Sequence, residues 1–195
     1  MKKKFLKYCL DNKFQKNMEQ IKTLELLNNF QNNNISNNIL NKFFQKKSKK
    51  LGFYLHGSVG VGKTMLLNFF FNNLNFSKQR MHFNEFMINF HEYRHDNKLK
   101  GLDNSIVNFV KKNLKKTELI YLDEFQVTNI VDAMILGKLF ENIFKENIKI
   151  IISSNIKIKD LYKDGLQRDQ FIPFIQIIKK YCLEHELTID QDYRK

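Results

Sequence analysis

From Leu51 onward, two kinds of segment alternate along the chain. Short apolar runs are typical of buried strands, and four of them are present: GFYLHG, RMHF, ELIYLDE and IKIIISSN. Longer segments between and after these runs are predicted as helices: MLLNFFFNNL, NEFMINFHEYRHD, SIVNFVKKNL and IVDAMILGKLFENIF. Because strands and helices alternate, the pattern predicts an α/β domain with a mainly parallel sheet flanked by helices.

The chain before Leu51 lacks this alternation of strands and helices. We therefore divide the sequence into an N-terminal part at residues 1–50 and a core domain at residues 51–195. One face of an N-terminal helix is predicted by apolar residues at three- and four-residue steps: Phe14, Met18, Ile21, Leu24 and Leu27. A stretch rich in Asn and Lys follows and ends at Lys50. We interpret it as a helix end and a loose connector.

The opening segment, MKKKFLKYCLDNK, begins with basic residues as a signal peptide does. Its apolar stretch is interrupted by Lys7 and stopped by Asp11, so we reject that interpretation. No apolar run in the sequence reaches the roughly 18 residues that a membrane span needs. The two cysteines, Cys9 and Cys182, lie far apart without a metal-binding spacing, which fits a reducing cytoplasm.

Composition adds a strong positive charge to this picture. The 195 residues carry 33 Lys and Arg against 20 Asp and Glu, a formal net charge of +13. Such a charge is compatible with a nucleic-acid partner or with peripheral contact to an acidic membrane. The lysines are spread along a chain that is heavy in Lys, Asn, Ile and Phe, all of which have A/T-rich codons. We therefore attribute the charge to base composition and do not expect a nucleic-acid partner.

The segment between the first predicted strand and the first long helix has the chemistry of a phosphate-binding loop. GSVGVGKT fits the pattern G-x-x-x-x-G-K-[ST] and comprises Gly57, Ser58, Val59, Gly60, Val61, Gly62, Lys63 and Thr64. Glycines let backbone N–H groups wrap a triphosphate, and the following helix directs its N-terminal dipole at the phosphates. Lys63 can reach the β- and γ-phosphates, and the Thr64 hydroxyl can ligate Mg²⁺. The sequence therefore predicts nucleotide binding.

The next two predicted strands end in groups that nucleotide hydrolysis needs. Asp123 and Glu124 follow the run ELIYL at the carboxyl edge of the sheet, where ligands of open α/β sheets bind. Asp123 is predicted to hold Mg²⁺, mostly through water, and Glu124 to act as general base on the attacking water. After IIIS, Ser154 or Asn155 could hydrogen-bond that water or the γ-phosphate, and we favour Asn155.

A further strand is predicted at Arg80 to Phe83, between the P-loop and Asp123. This extra strand, together with a Glu directly after the Asp, marks the additional-strand branch of P-loop ATPases. Its members hydrolyse ATP and often act as rings.

HEYRH, at residues 91–95, matches an unrelated motif, the zinc-protease pattern H-E-x-x-H. On a helix, His91 and His95 would share one face and could bind zinc, with Glu92 as the base. A zinc site also needs a third ligand, and the only histidine downstream is His185. Because the segment lies between the two ATP motifs, we interpret these histidines as helix-surface residues.

Together, these motifs resemble the ZapE/AFG-type family of AAA+ ATPases. The resemblance covers about residues 51 to 194 and, more weakly, the N-terminal helix around Gln15. It rests on GFYLHGSVGVGKT, MHFNEFMINFHEYR, YLDEFQVTNIVDAMILGKLF, LYKDGLQRDQFIPFI and the DYR at Asp192 to Arg194. The resemblance implies an AAA+ fold, Mg²⁺-dependent ATP hydrolysis and assembly into a homo-oligomeric ring. In bacteria it further implies a cytoplasmic protein at the division septum, with the tubulin-like protein FtsZ as partner.

Arg168, within LYKDGLQRDQFIPFI, takes its expected role from the same resemblance. An AAA+ subunit presents an arginine finger at this place to the ATP of the neighbouring subunit. A guanidinium can meet two γ-phosphate oxygens at once, and its charge does not titrate away. The alternative is a local ion pair with Asp164 or Asp169, which a lysine could make as well.

The sequence also departs from the family pattern. Family members usually have Asp where Asn129 stands, which predicts the loss of a local cap or charge pair. The chain stops at Lys195, whereas family members continue into a segment expected to form a lid over the nucleotide. Two alternatives to an active remodelling ATPase therefore stay open: a nucleic-acid-linked ATPase similar to helicase loaders, and an ATP-binding module without turnover.

Overall fold

A parallel sheet of five strands lies at the centre of the computed structural model, which describes residues 1–32, 50–97 and 101–188. The strands are β1 (Gly52–His56), β2 (Lys78–His82), β3 (Leu119–Asp123), β4 (Lys149–Ser154) and β5 (Cys182–Glu186). They lie in the order β2-β3-β4-β1-β5, and every neighbouring pair is parallel.

Helices connect and flank these strands. They are α1 (Lys2–Asp11), α2 (Met18–Asn32), α3 (Lys63–Asn72), α4 (Phe83–Asp96), α5 (Leu102–Asn113), α6 (Ile130–Lys145) and α7 (Ile172–Tyr181). Short 3₁₀ turns at Ile158–Asp160 and Arg168–Gln170 lie between β4 and α7. Within the described ranges, no helix is long and apolar enough to cross a membrane.

The central strands β1, β3 and β4 are buried almost throughout because both faces of the sheet are covered. In β1, Phe53 and Leu55 belong to one hydrophobic cluster, whereas Tyr54 belongs to another. Successive strand residues point to opposite faces, so the two clusters lie on opposite sides of the sheet. Residues of α1, α2 and α3 complete the first cluster, and residues of α4 to α7 complete the second. The first two helices are thus packed onto the same sheet as the rest of the described chain.

The predicted α/β fold is confirmed, with differences at the edges of elements. Phe83 begins α4 rather than ending β2, and β2 begins earlier, at Lys78. The predicted N-terminal helix corresponds to α2, but Phe14 precedes it and Met18 is exposed, so the buried face begins at Ile21. Most of the predicted connector, residues 33–49, and the DYR motif lie outside the described residues.

The apolar patterns did not identify α1, α7 or β5. Strand β5 lies at the edge of the sheet, and of its residues only Cys182 is buried, so it has no apolar run. Helix α1 buries only Phe5 and Cys9. Helix α7 carries Pro173 in its first turn, where proline is tolerated because its missing N–H would have no partner within the helix.

The strand order determines where the residues of the predicted nucleotide site meet. Parallel strands direct their carboxyl ends to one edge of the sheet, and β4 lies between β1 and β3 at that edge. Gly57 follows β1, Asp123 ends β3 and Ser154 ends β4. Segments that are far apart in sequence therefore meet there.

Candidate nucleotide-binding site

The loop between β1 and α3 has the backbone form that a phosphate-binding loop requires. Gly60 and Gly62 have φ angles of 92° and 82°, in the left-handed region that favours glycine. A Cβ atom on Gly62 would lie 2.6 Å from Nε2 of Gln20, which belongs to α2. Helix α3 begins at Lys63, directly after Gly62, so the unpaired N–H groups expected in its first turn lie beside the loop.

Lys63 connects this loop to the end of β4. It is buried, and its Nζ donates to the carbonyl oxygens of Gly57 and Ser58, at 2.7 and 2.8 Å. Nζ also donates to Oδ1 of Asn155 at 2.9 Å. An ammonium group has three donors, and here they hold the amine between the loop and the strand end. Lys63 and Asn155, which come from separate motifs, are therefore in direct contact.

The loop and the ends of β3 and β4 surround a pocket of about 360 Å³. Its volume is within the range of about 300–1,000 Å³ that is typical of small-ligand sites. The loop and α3 line it with Val59, Gly60, Gly62, Lys63, Thr64 and Met65. The strand ends line it with Asp123, Glu124, Phe125, Gln126, Ser153, Ser154, Asn155 and Ile156. Gln126 is a polar lining residue that the motifs did not identify, although it stands close to Asp123 in the sequence.

Asp123 is buried, and donors from three elements hold its carboxylate. Its Oδ1 accepts hydrogen bonds from Oγ of Ser153 and, at 3.1 Å, from the backbone N–H of Glu124. Its Oδ2 accepts a bond of 2.8 Å from Nη2 of Arg80. Burial alone would raise the pKa of Asp123, but the hydrogen bonds from Ser153 and Arg80 outweigh it, so the pKa lies below its ordinary value. Asp123 is therefore ionised at neutral pH.

Arg80 is a second residue of the site that sequence reasoning missed. It stands on β2, the edge strand next to β3, in register with Tyr121. Its guanidinium lies 5.3 Å from the ring centroid of Tyr121 and reaches past it to Asp123. An arginine at the start of a predicted strand was the available signal. Its meaning depended on the pairing of β2 with β3, which the pattern alone does not contain.

The oxygen donors at the pocket fit a magnesium ion. Mg²⁺ prefers carboxylate and hydroxyl oxygens and retains several waters. An ionised carboxylate at Asp123 and the hydroxyl of Thr64 line the same pocket. A carboxylate has about four acceptor positions, and protein donors occupy three of them at Asp123. This arrangement suits contact with a metal mostly through water.

Glu124 leaves the strand in an unusual backbone conformation. Its φ angle is 54°, which is uncommon for a residue other than glycine. The turn separates the two carboxylates, so that Asp123 is buried while Glu124 is exposed. Oε2 of Glu124 lies 3.7 Å from Nδ1 of His82 at the end of β2. Glu124 is thus an exposed carboxylate that lines the pocket and lies beside His82.

Arg168 lies in a 3₁₀ turn and is not one of the described residues that line the pocket. Its Nη1 donates to the carbonyl oxygen of Lys163 at 3.0 Å, and its Nη2 donates to that of Lys159 at 2.8 Å. Backbone carbonyls, rather than Asp164 or Asp169, therefore hold this partly exposed guanidinium. The arginine finger stays a prediction.

The two histidines of the H-E-x-x-H motif contact different carboxylates. Nε2 of His91 lies 2.7 Å from Oδ1 of Asp132 on α6, and Nδ1 of His95 lies 3.3 Å from Oδ1 of Asp96. Among the residues that the structure describes, no group of three or more His, Cys, Asp or Glu side chains could hold a metal ion. His91 instead links α4 to α6.

The substitution at position 129 does not remove the cap of α6. Asn129 is the N-cap residue, and its Oδ1 accepts a hydrogen bond of 2.8 Å from the backbone N–H of Val131. Asn is as good an N-cap as Asp because either side chain supplies the accepting oxygen. The expected loss of a cap was therefore wrong, while the loss of a charge pair, the other half of that expectation, stays a prediction.

Comparison with known proteins identifies a family and a set of relatives. The model of the AFG1-like ATPase family matches residues 4–195. Over 155 residues the chain is 41% identical to Lactation elevated protein 1 homolog B of Danio rerio, covering 73% of this chain and 30% of that protein. Over 144 residues it is 38% identical to Cell division protein ZapE of Escherichia coli strain K12, covering 73% of this chain and 38% of that protein. The chain thus spans about a third of the length of these relatives.

Solved structures agree with the fold. The DnaC helicase loader matches with a TM-score of 0.56 at 15% identity, covering 92% of this chain and 96% of that one. DnaI matches with a TM-score of 0.54 at 25% identity, covering 75% and 74%. AMPPCP-bound DnaA of Aquifex aeolicus matches with a TM-score of 0.51 at 17% identity, covering 83% and 48%. The predicted class, a P-loop fold of the AAA+ type, is confirmed.

Proposed function

Because the chain belongs to the AFG1-like ATPase family, we propose that it binds Mg²⁺–ATP in the pocket between the P-loop and β3 and hydrolyses it. The strongest support is the contact of Lys63 Nζ with Asn155 Oδ1 at 2.9 Å, in a pocket that Asp123 also lines. A cation, an amide and an ionised acid from three separate segments meet there. The cation suits a triphosphate, the amide suits an attacking water, and the ionised acid suits a metal ion.

In this proposal the P-loop holds the phosphates. Backbone N–H groups of residues 57–64 surround the phosphate oxygens. Lys63 exchanges the carbonyl oxygens of Gly57 and Ser58 for oxygens of the β- and γ-phosphates. Thr64 and Asp123 would hold Mg²⁺, which when bound neutralises charge on the β- and γ-phosphates.

Glu124 and Asn155 prepare the attacking water. The water oxygen bonds to the γ-phosphorus while the bond from that phosphorus to the β–γ bridging oxygen breaks. The carboxylate of Glu124 accepts the proton that the water loses, and the Asn155 amide orients the water. Glu124 first turns from His82, 3.7 Å away, toward the pocket. Its exposure allows this movement without disturbing the buried Asp123.

The wider setting of the reaction is also a proposal, and the relatives support part of it. We propose that the chain assembles into a homo-oligomeric ring in which Arg168 of one copy reaches the ATP of the next. The likeness to Cell division protein ZapE supports a bacterial cytoplasmic setting and a division-linked protein partner, with FtsZ as the candidate. Remodelling or regulation of that partner would then use the energy of ATP.

A nucleic-acid-linked ATPase is the competing function, and the net charge of +13 favours it. A single-strand binding assay at increasing salt concentration discriminates between the two. Tight binding whose affinity falls steeply with salt would support the competing function, because released counterions would then account for the affinity. Weak binding without that dependence would support a protein partner.

The proposed chemistry is tested by the substitution Glu124→Gln. Glutamine keeps the shape of the side chain but cannot accept the proton, so we expect turnover to fall by about 10²- to 10⁴-fold while ATP still binds. Phosphate release measures turnover, and titration with a fluorescent ATP analogue measures binding. Glu92→Gln, an exposed glutamate on α4, is the matched control and should hydrolyse ATP as the unchanged chain does.

Two results would contradict the proposal. Equal phosphate release by the unchanged chain and Glu124→Gln, with ATP bound by both, would indicate a binding module without turnover. Failure of the unchanged chain to bind ATP at all would exclude the nucleotide site itself.

A further inference from the structure

Helix α2 contacts the P-loop through one buried amide. Gln20 is 2% exposed, and its Nε2 donates to the backbone carbonyl of Val61 at 3.2 Å. The side chain of Asn17 fixes the start of this helix, since its Oδ1 accepts from the backbone N–H groups of Glu19 and Gln20, at 2.8 and 3.3 Å. The amide of Gln20 is therefore held at a defined position beside the loop.

The acceptor of this bond belongs to a peptide unit that also contributes a loop N–H group. The carbonyl of Val61 and the N–H of Gly62 lie in one planar, trans peptide, so the two groups point in opposite directions. Because the carbonyl points to Gln20, the N–H of Gly62 points away from α2. Gly62 lines the nucleotide pocket, and such N–H groups are the ones that bind phosphate oxygens.

The backbone conformation of Gly62 lets the loop pass close to Gln20. Its φ angle of 82° is one that glycine adopts readily, and a Cβ atom would lie 2.6 Å from Nε2 of Gln20. The glutamine therefore lies directly against the loop at the point where the chain turns into α3.

We propose that Gln20 is a positioning residue for the P-loop. Its bond to the Val61 carbonyl holds the peptide so that the N–H of Gly62 faces the phosphates of the bound nucleotide. This inference rests on the proposed nucleotide site and adds α2, which lies outside the core motifs, to the parts of the chain that determine nucleotide affinity.

A second polar contact of α2 provides a matched control. Thr23, one turn after Gln20, is fully buried, and its Oγ1 lies 2.9 Å from Nε2 of His185 on β5. This contact also attaches α2 to the sheet, but its partner is not in the P-loop. If Gln20 served only to attach the helix, removal of either polar group would have the same consequences.

The experiment measures the dissociation constant of a fluorescent ATP analogue with Mg²⁺ for the unchanged chain, Gln20→Met and Thr23→Val. Methionine keeps the length of glutamine without its amide, so Gln20→Met should weaken binding by about tenfold, the effect of one net hydrogen bond. The loss should appear in the dissociation constant and in KM, with a much smaller change in kcat. Thr23→Val should lower the unfolding temperature but leave the dissociation constant unchanged.

Unchanged affinity in folded Gln20→Met would overturn the inference, as would an equal loss of affinity in Thr23→Val. Circular dichroism checks folding, and Gln20→Leu takes the place of Gln20→Met if the latter does not fold. Lys63→Ala separates this inference from the proposed function. If the unchanged chain binds the analogue and Lys63→Ala does not, the nucleotide site stands, and the result for Gln20 decides the inference alone.

Discussion

The nucleotide pocket and the turn that holds Arg168 differ in how their charges are matched. In the pocket, the buried carboxylate of Asp123 has the guanidinium of Arg80 at 2.8 Å, and Lys63 is held by three oxygen acceptors. In the turn, the guanidinium of Arg168 donates two hydrogen bonds, of 3.0 and 2.8 Å, to uncharged backbone carbonyls. A charge matched within one chain serves that chain's own site. A charge left on a surface turn remains available to another molecule.

The largest effect should come from Arg168→Lys. Lysine keeps the charge but loses the planar fork, so if Arg168 is an arginine finger, ATP should still bind while turnover falls by about 10³-fold or more. Phosphate release and analogue binding measure the two properties separately. Arg94→Lys, on the exposed face of α4, is the matched control and should behave as the unchanged chain. Unchanged turnover in Arg168→Lys would make Arg168 an ordinary surface residue.

Mixing two inactive variants tests directly whether Arg168 acts on the ATP of a neighbouring copy. Arg168→Lys keeps an intact pocket, and Lys63→Ala keeps an intact arginine. If Arg168 acts on the neighbouring copy, an equal mixture should recover part of the turnover that each chain lacks alone. A mixture that stays inactive, although the copies associate, would contradict action in trans.

A smaller effect, on stability, is expected for Arg80→Gln, which removes the partner of Asp123 at the pocket. Removal of the guanidinium leaves Oδ2 of the buried Asp123 without its charged donor, which should lower the free energy of unfolding by about 1–3 kcal/mol. Because the Arg80 side chain is 37% exposed, water compensates in part, and the lower half of that range is expected. Urea unfolding gives the value, with Arg94→Gln as control. A change as small as in that control would mean that the pair adds nothing to stability.

The parts of the site that sequence could predict are those in which one short segment contains the whole signal. GSVGVGKT contains its own glycines, lysine and threonine, and Asp123 and Glu124 directly follow an apolar run. The Arg80–Asp123 pair spans 43 residues and the Gln20–Val61 bond spans 41. Both depend on which elements are neighbours in the fold. Residue spacing within a motif does not contain that information.

The same reasoning explains the elements that were missed. Apolar runs predicted β1, β3 and β4 because these strands are buried on both faces of the sheet. Strand β5 pairs with β1 on one side only, and Glu184, His185 and Glu186 stand where an apolar run would have been expected. His185 nevertheless contacts Thr23, so an edge strand without an apolar signal helps to place α2.

The smallest effect should be that of Arg168→Ala on stability, and it decides how the comparison is interpreted. The acceptors of Arg168 are carbonyls in surface turns, which water can solvate once the guanidinium is gone, so the free energy of unfolding should fall by less than about 1 kcal/mol. Urea unfolding of Arg168→Ala beside Arg80→Gln measures both sides of the comparison under one condition. A loss at Arg168 equal to or greater than that at Arg80 would show that its two bonds brace the turn. Lost turnover could then follow from a distorted turn, and the arginine would no longer be the group reserved for a neighbouring copy.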